Sequence, residues 1–169
     1  GSPATNYDYS FDNGENWGSM SPAQTKPPLI ITDLTNGTPY TVIIRTRRGG
    51  QVDDVTSSPT VVIPATFPDA PSISVVSGNL SAIITITDGS NNGRSITNYQ
   101  YSIDNGSTWT IRDPASVVSP LTLTGLMFDQ TYQIKLKSYN QMGWGAESVA
   151  ESVTIAKIPD APIIDSATA

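Results

Sequence analysis

The stretch TNYDYSFDNGENW at residues 5–17 returns as TNYQYSIDNGSTW at residues 97–109. The offset is 92 residues and pairs Asn6 with Asn98, Tyr7 with Tyr99, Tyr9 with Tyr101 and Trp17 with Trp109. It persists downstream, where Leu29 meets Leu121, Leu34 meets Leu126, Tyr40 meets Tyr132 and Val61 meets Val153. It then slips by one, so that FPDAPSI (67–73) matches IPDAPII (158–164). A period this long is that of a whole domain, not of a solenoid repeat. It divides the chain into a partial first domain at 1–66, a complete second domain at 67–157, and the opening of a third at 158–169.

Within each period the apolar residues alternate. TYQIKLKSY (131–139) sends Tyr132, Ile134 and Leu136 to one face and Gln133, Lys135 and Lys137 to the other. YTVIIRTR (40–47) does the same with Tyr40, Val42 and Ile44 against Ile43, Arg45 and Arg47. Period-two alternation marks half-buried strands. Further strands are expected around Ile73 and Val75, over 80–87, 97–103 and 120–126, and over roughly 148–155. Asn-Gly at 105–106 suits a tight type I′ hairpin, since both residues tolerate positive φ. Pro59 stands near the start of a strand, a place that fits an edge. Seven strands with frequent turns and no helical stretch predict an all-β fold of tandem seven-stranded, immunoglobulin-like Greek-key sandwiches.

Composition narrows the chemistry. The chain has no cysteine and no histidine, which removes thiolate chemistry, disulfides, and the commonest general base and metal ligand. Its 14% charged residues and net charge of −6 give no basic surface for a phosphate backbone, so nucleic-acid binding is not expected. No run approaches the ~18 apolar residues that span a bilayer.

The residues resemble those of the fibronectin type III family. Leu34, Thr38, Tyr40 and again Leu126, Thr131, Tyr132 match the family's leucine–threonine–tyrosine pattern at the opening of its sixth strand. The resemblance implies that both tyrosines form a tyrosine corner. Asn140, Gly143, Gly145 and Ser148 match the signature that follows that strand, and PDAP at 68–71 and 159–162 matches the domain-opening proline motif. Two departures stand out. Ile86 occupies the position of the family's second-strand tryptophan, and RRGGQVDD (47–54) replaces the glycine signature in the first domain. The alignment of GSPATNY (1–7) with GRSITNY (93–99) starts the chain inside a domain, with the first two strands of that domain missing. The inner faces of Tyr7, Tyr9, Leu29, Ile31, Tyr40 and Val42 are then expected to be partly uncovered. Either residues outside this sequence or another chain would cover them, the first being favoured because 161–169 offers one strand where two are needed.

Few residues invite a functional reading. Trp144, between two glycines, is read as a loop-tip aromatic that contacts a partner or a sugar, or that packs on the neighbouring domain or linker. Arg47 and Arg48, with Arg45, form a small basic patch opposite Asp53 and Asp54; it is read as an anionic-partner contact or as solvated strand-face charge. Asp8, Asp12, Asp88 and Asp104 lack the spacing of a calcium loop, so no metal is expected. No cofactor is expected either, and no carboxylates pair as a catalytic dyad would. The sequence fits a non-catalytic stalk or appendage segment of a cell or virion surface, semi-rigid because its joints are short and proline-bearing. Its partners would be neighbouring domains or copies of the same array, surface proteins or glycans. Two rivals are a spacer of an extracellular polysaccharide-degrading enzyme and a carbohydrate- or protein-binding module using Trp144.

Overall fold

The structure is a computed structural model and describes residues 3–159. Every regular element among them is a strand, and the chain divides between Thr66 and Phe67 into two compact units.

Unit 1 contains β1 (Asn6–Ser10), β2 (Gly18–Ser19), β3 (Tyr40–Arg48), β4 (Gln51–Thr56) and β5 (Thr60–Val62). They form one antiparallel sheet in the order β2-β1-β3-β4, with β5 continuing along β3 where β4 stops. Unit 2 contains β6 (Ser72–Gly78), β7 (Ser81–Thr87), β8 (Asn98–Ser102), β9 (Thr110–Ile111), β10 (Leu121–Thr124), β11 (Thr131–Asn140), β12 (Gly143–Glu147) and β13 (Glu151–Thr154). One sheet runs β10-β7-β6; the other runs β12-β11-β8-β9, with β13 continuing along β11. Since β12 and β13 are two halves of one interrupted strand, unit 2 is a seven-stranded sandwich.

The interruption has a local cause repeated in both units. Ser148 donates its N–H to the Leu136 carbonyl at 2.8 Å, while its hydroxyl accepts the Leu136 N–H at 3.0 Å. Ser57 does the same to Ile44, at 2.8 and 3.0 Å. A single serine thus satisfies both backbone groups of its partner while the edge strand breaks.

The core of unit 2 forms where the alternating apolar residues of the two sheets meet. Ala82, Ile84, Ile134 and Leu136 have no exposed surface, and Tyr99, Leu121 and Leu123 are buried beside them. Ile86 is partly buried against this cluster. Both tyrosine corners are present. The Tyr132 hydroxyl accepts the Met127 N–H at 3.2 Å, and the Tyr40 hydroxyl accepts the Thr35 N–H at 3.0 Å.

Unit 1 differs in having no second sheet among its described residues. Its residues 29–32, which align with β10, form no strand. Leu29 and Ile31 remain half-exposed, whereas their counterparts Leu121 and Leu123 are 8% and 6% exposed. Of the six inner-face residues, Val42 is buried and Tyr7, Tyr9, Leu29, Ile31 and Tyr40 are half-buried.

The hairpin expected at Asn-Gly is longer than a two-residue turn. Asn105 and Gly106 do adopt positive φ, at 62° and 91°, but the ladder resumes only at Thr110, opposite Tyr101. A side-chain scaffold holds the intervening loop. The Ser102 hydroxyl donates to Asp104 at 2.6 Å and accepts from the Gly106 N–H at 2.8 Å. The Asp104 carboxylate accepts the Thr108 N–H and hydroxyl at 2.9 and 2.6 Å, and the Trp109 indole N–H donates to the Gly106 carbonyl at 3.1 Å. Ser10, Asp12, Gly14, Asn16 and Trp17 reproduce this network in unit 1. The hydrogen bond from Ser102, then those from Thr108, hold the Asp104 carboxyl down at about 2; Ser10 and then Asn16 do the same to Asp12, also about 2. The repeated thirteen residues therefore encode a strand and a self-scaffolded loop.

Candidate interaction surface

The outward face of the sheet built on β3 in unit 1 and on β11 in unit 2 carries the charged and aromatic residues. In unit 1, Asp8 on β1 lies opposite Arg45 and two ladder positions from Arg47, which faces Asn6. Its carboxylate has no exposed surface. It accepts from Arg45 Nε at 3.2 Å, from Arg47 Nε and Nη2 at 3.1 and 2.9 Å, and from the Ser19 hydroxyl at 2.7 Å. Burial pushes this carboxyl up, but the hydrogen bonds from Arg47, Ser19 and Arg45 outweigh it and hold it below the ordinary aspartate value. Arg45 also lies over the Trp17 ring, 4.0 Å from its centroid. Arg45 and Arg47 are therefore committed to an internal carboxylate and an indole. Arg48 pairs with Asp53 at 2.9 Å in an exposed setting that contributes little.

Unit 2 repeats the cation over the ring and replaces the rest. Lys137 lies over Trp109 at 4.2 Å. Trp144 lies in β12, not at a loop tip, and its ring tilts against Tyr139 at a centroid distance of 4.8 Å. This alters the expectation for Trp144. The turn after β11 is only Gln141–Met142, so the tryptophan falls back into the ladder opposite Tyr139 and stands half-buried on the sheet face. Lys135 pairs with Glu147 at 3.0 Å beside it.

The acidic residues considered as metal ligands are all engaged elsewhere. Asp8 meets the arginines, Asp12 and Asp104 hold loops, and Asp88 accepts the Tyr99 hydroxyl at 2.7 Å. Among the described residues no group of three or more acidic side chains could hold a metal ion.

The glycine signature has a separate task. The residues entering unit 2 lie in a notch of that unit. The Asn92 amide donates to the Phe67 carbonyl and to the Asp69 carboxylate, both at 2.9 Å. The Asp69 N–H donates to the Ser90 carbonyl at 2.9 Å, and the Ala146 N–H to the Pro68 carbonyl at 3.4 Å. A Cβ at Gly143, whose φ is 131°, would stand 2.9 Å from the Phe67 ring, and one at Gly145 would overlap the Pro68 carbonyl oxygen. Glycine is thus required so that residues 67–68 can lie against β12. Gly145→Ala is expected to expel them, destabilising unit 2 by about 1–3 kcal/mol as an overpacked contact does. Hydrogen exchange at the Asp69 amide is the check; unchanged protection there would show that the notch does not hold the entering chain.

No family model matches the chain, and no curated protein matches it. Among solved structures, domains A168–A170 of titin superpose with a TM-score of 0.51 at 18% identity, over 92% of this chain and 56% of that one. The FN1–FN3 domains of chicken CNTN1 superpose with a TM-score of 0.49 at 15% identity, over 93% of this chain and 63% of theirs. The chain therefore spans less than two thirds of either structure. With the strand order of unit 2, the titin likeness makes the fold an all-β, fibronectin type III/immunoglobulin-like sandwich.

Proposed function

We propose that this chain is a non-catalytic segment of a tandem fibronectin type III array, serving as a stalk or appendage outside a cell or on a virion. The observation that carries this reading is the notch that grips residues 67–69. The residues leading into unit 2 are hydrogen-bonded and packed as part of it, where a flexible tether would be free of the domain. A spacer benefits from such a joint because it carries position from one domain to the next.

The clefts support the non-catalytic part. One cleft in unit 2, about 640 Å³, is lined by Tyr101, Leu121, Leu123, hydroxyl side chains, Arg112 and Asp113. Arg112 there donates to the Ser116 and Val118 carbonyls, so the cationic group is occupied in holding a loop. Partners would be neighbouring domains of the same array, together with surface proteins or glycans.

Small-angle scattering on the whole chain tests the spacer reading. An elongated particle is expected, each domain adding roughly 30–35 Å if its strands lie along the axis. A compact sphere would sink the reading.

A second reading, glycan or protein contact through Trp144, has one observation in its favour. Trp144 and Tyr139 lie together on an outward sheet face, where rings can stack on a sugar. Glycan arrays with the wild type and Trp144→Ala decide it; identical profiles would dismiss the contact.

A further inference from the structure

The cleft between β9 and β10 in unit 2 has a counterpart in unit 1 at the offset of 92. Tyr101, Leu123 and Leu126 border the first; Tyr9, Ile31 and Leu34 border the second. The volumes are about 640 and 280 Å³. Phe11 and the buried Met20 occupy the cleft of unit 1, where unit 2 has Ile103 and Arg112.

The register decides which backbone groups face this opening. β10 is the edge of its sheet and pairs only with β7. On β7 and its turn, the Ile86 N–H donates to the Ser119 hydroxyl at 2.9 Å and the Leu80 carbonyl accepts the Leu126 N–H at 3.1 Å. Alternate residues of an antiparallel strand bond to the same side, so Ala82 and Ile84 also face β10, opposite Leu123 and Leu121. The N–H and C=O groups of Thr122 and Thr124 therefore turn to the open edge, where no strand among the described residues pairs with them. In unit 1 the counterpart of Thr122 is Ile30, and both of its backbone groups are met. The Gln24 side-chain amide donates to the Ile30 carbonyl and accepts the Ile30 N–H, both at 2.7 Å. A peptide-like amide thus occupies this edge in unit 1. Its counterpart in unit 2 is Ser116, whose loop is held instead by Arg112, through the Ser116 and Val118 carbonyls at 3.2 and 2.7 Å.

We propose that the open edge of β10 is a docking site for an extended peptide segment of a partner protein, which adds antiparallel to β10 as one further strand. One residue of the segment exchanges both backbone hydrogen bonds with Thr122, as the Gln24 amide does with Ile30. The residues on either side of it point inward with Leu121 and Leu123, so they are aliphatic. Charge selects further. Asp113 lines the cleft and its carboxylate has no partner among the described residues, while the Arg112 guanidinium is taken up by the loop. A basic segment fits this edge and an acidic one does not. β9, the other lip, is only two residues long, which makes β10 the longer edge. The site lies wholly within unit 2 and does not depend on the chain being a spacer.

The probe is a blocked peptide of alternating valine and threonine flanked by lysines. Amide hydrogen exchange at Thr122 and Thr124 is read by NMR, with the Leu136 amide as internal reference. Exchange at both threonines is expected to slow about tenfold while Leu136 stays unchanged. The same peptide N-methylated along its bonding edge should have no effect, and one flanked by glutamates should bind at least about tenfold more weakly. Arg112→Met with Ser116→Gln carries the arrangement of unit 1 into unit 2; it should slow Thr122 exchange without peptide and abolish the response to it. If that double variant does not fold, Thr122→Pro removes the N–H at an edge position that tolerates proline, and the peptide should then no longer slow Thr124. Unchanged Thr122 exchange with the lysine-flanked peptide overturns the proposal. So does an equal response to the N-methylated or the glutamate-flanked peptide, or a response that survives Thr122→Pro. Protection at Thr122 in the unmodified chain that rises with its own concentration would give the edge to a second copy and overturn the proposal too.

Discussion

Leu136→Ala is expected to destabilise unit 2 by about 3 kcal/mol, while Ile44→Ala, the matching change in unit 1, is expected to cost about 1 kcal/mol or less. Both residues are inward-facing, both lie on the central strand of their sheet, and both are bracketed by the serine that interrupts the edge strand. They differ in what lies opposite. Leu136 has no exposed surface and packs in a cluster with Ile84 and Ile134, so truncation leaves a cavity that close-packed neighbours cannot collapse. Ile44 is half-exposed and borders an open groove, so truncation removes contacts on one side only and creates no enclosed void. Urea titration followed by hydrogen exchange, with peptides from each unit read separately, measures the two costs in one sample. Equal costs would mean that the inner face of unit 1 is closed in solution.

Much of this architecture is legible in the sequence, because period-two alternation fixes which side chains share a face once a strand exists. Tyr132, Ile134 and Leu136 on one face of β11, with Lys135 and Lys137 on the other, follow from the pattern alone. What alternation does not carry is depth. Asp8 alternates with the inward-facing Tyr7 and Tyr9, and nothing in that pattern shows that it is covered; the arginines that bury it come from β3, 37 and 39 residues later. Trp144 reads as a loop tip because glycines flank it. Those glycines instead admit residues 67–68 against β12, and the tryptophan turns to the other side of the strand. The Asn-Gly turn was legible in its backbone signs but not in its span, which a serine and an aspartate set through side-chain bonds to the loop.

Asp8→Ala is expected to destabilise unit 1 by about 2 kcal/mol. This value lies between the 0–1 kcal/mol of an exposed pair and the roughly 3–5 kcal/mol of breaking a deeply buried one. The intermediate value follows from the geometry. The carboxylate is fully covered, but its two covering arginines are 21% and 33% exposed and can turn to water when it is removed. Part of the loss is structural, since Arg45 is also the lid on Trp17 and its guanidinium is steered there by Asp8. Arg47→Ala alone is expected to cost less than Asp8→Ala, because Arg45 and Ser19 would still satisfy the carboxylate. The pH dependence has a definite sign. The folded-state pKa of Asp8 is lowered, so its contribution is complete above the unfolded value near 3.8 and disappears as pH falls below that value through the folded one. The wild type should therefore lose stability in unit 1 as pH falls below about 4 more steeply than Asp8→Asn, which has no proton to take up at that position. Parallel acid-titration curves for the two proteins would show that the arginines do not hold this carboxylate in solution. The cluster would then be one more exposed ion pair on a strand face, and Arg47 would again be free to meet an anionic partner.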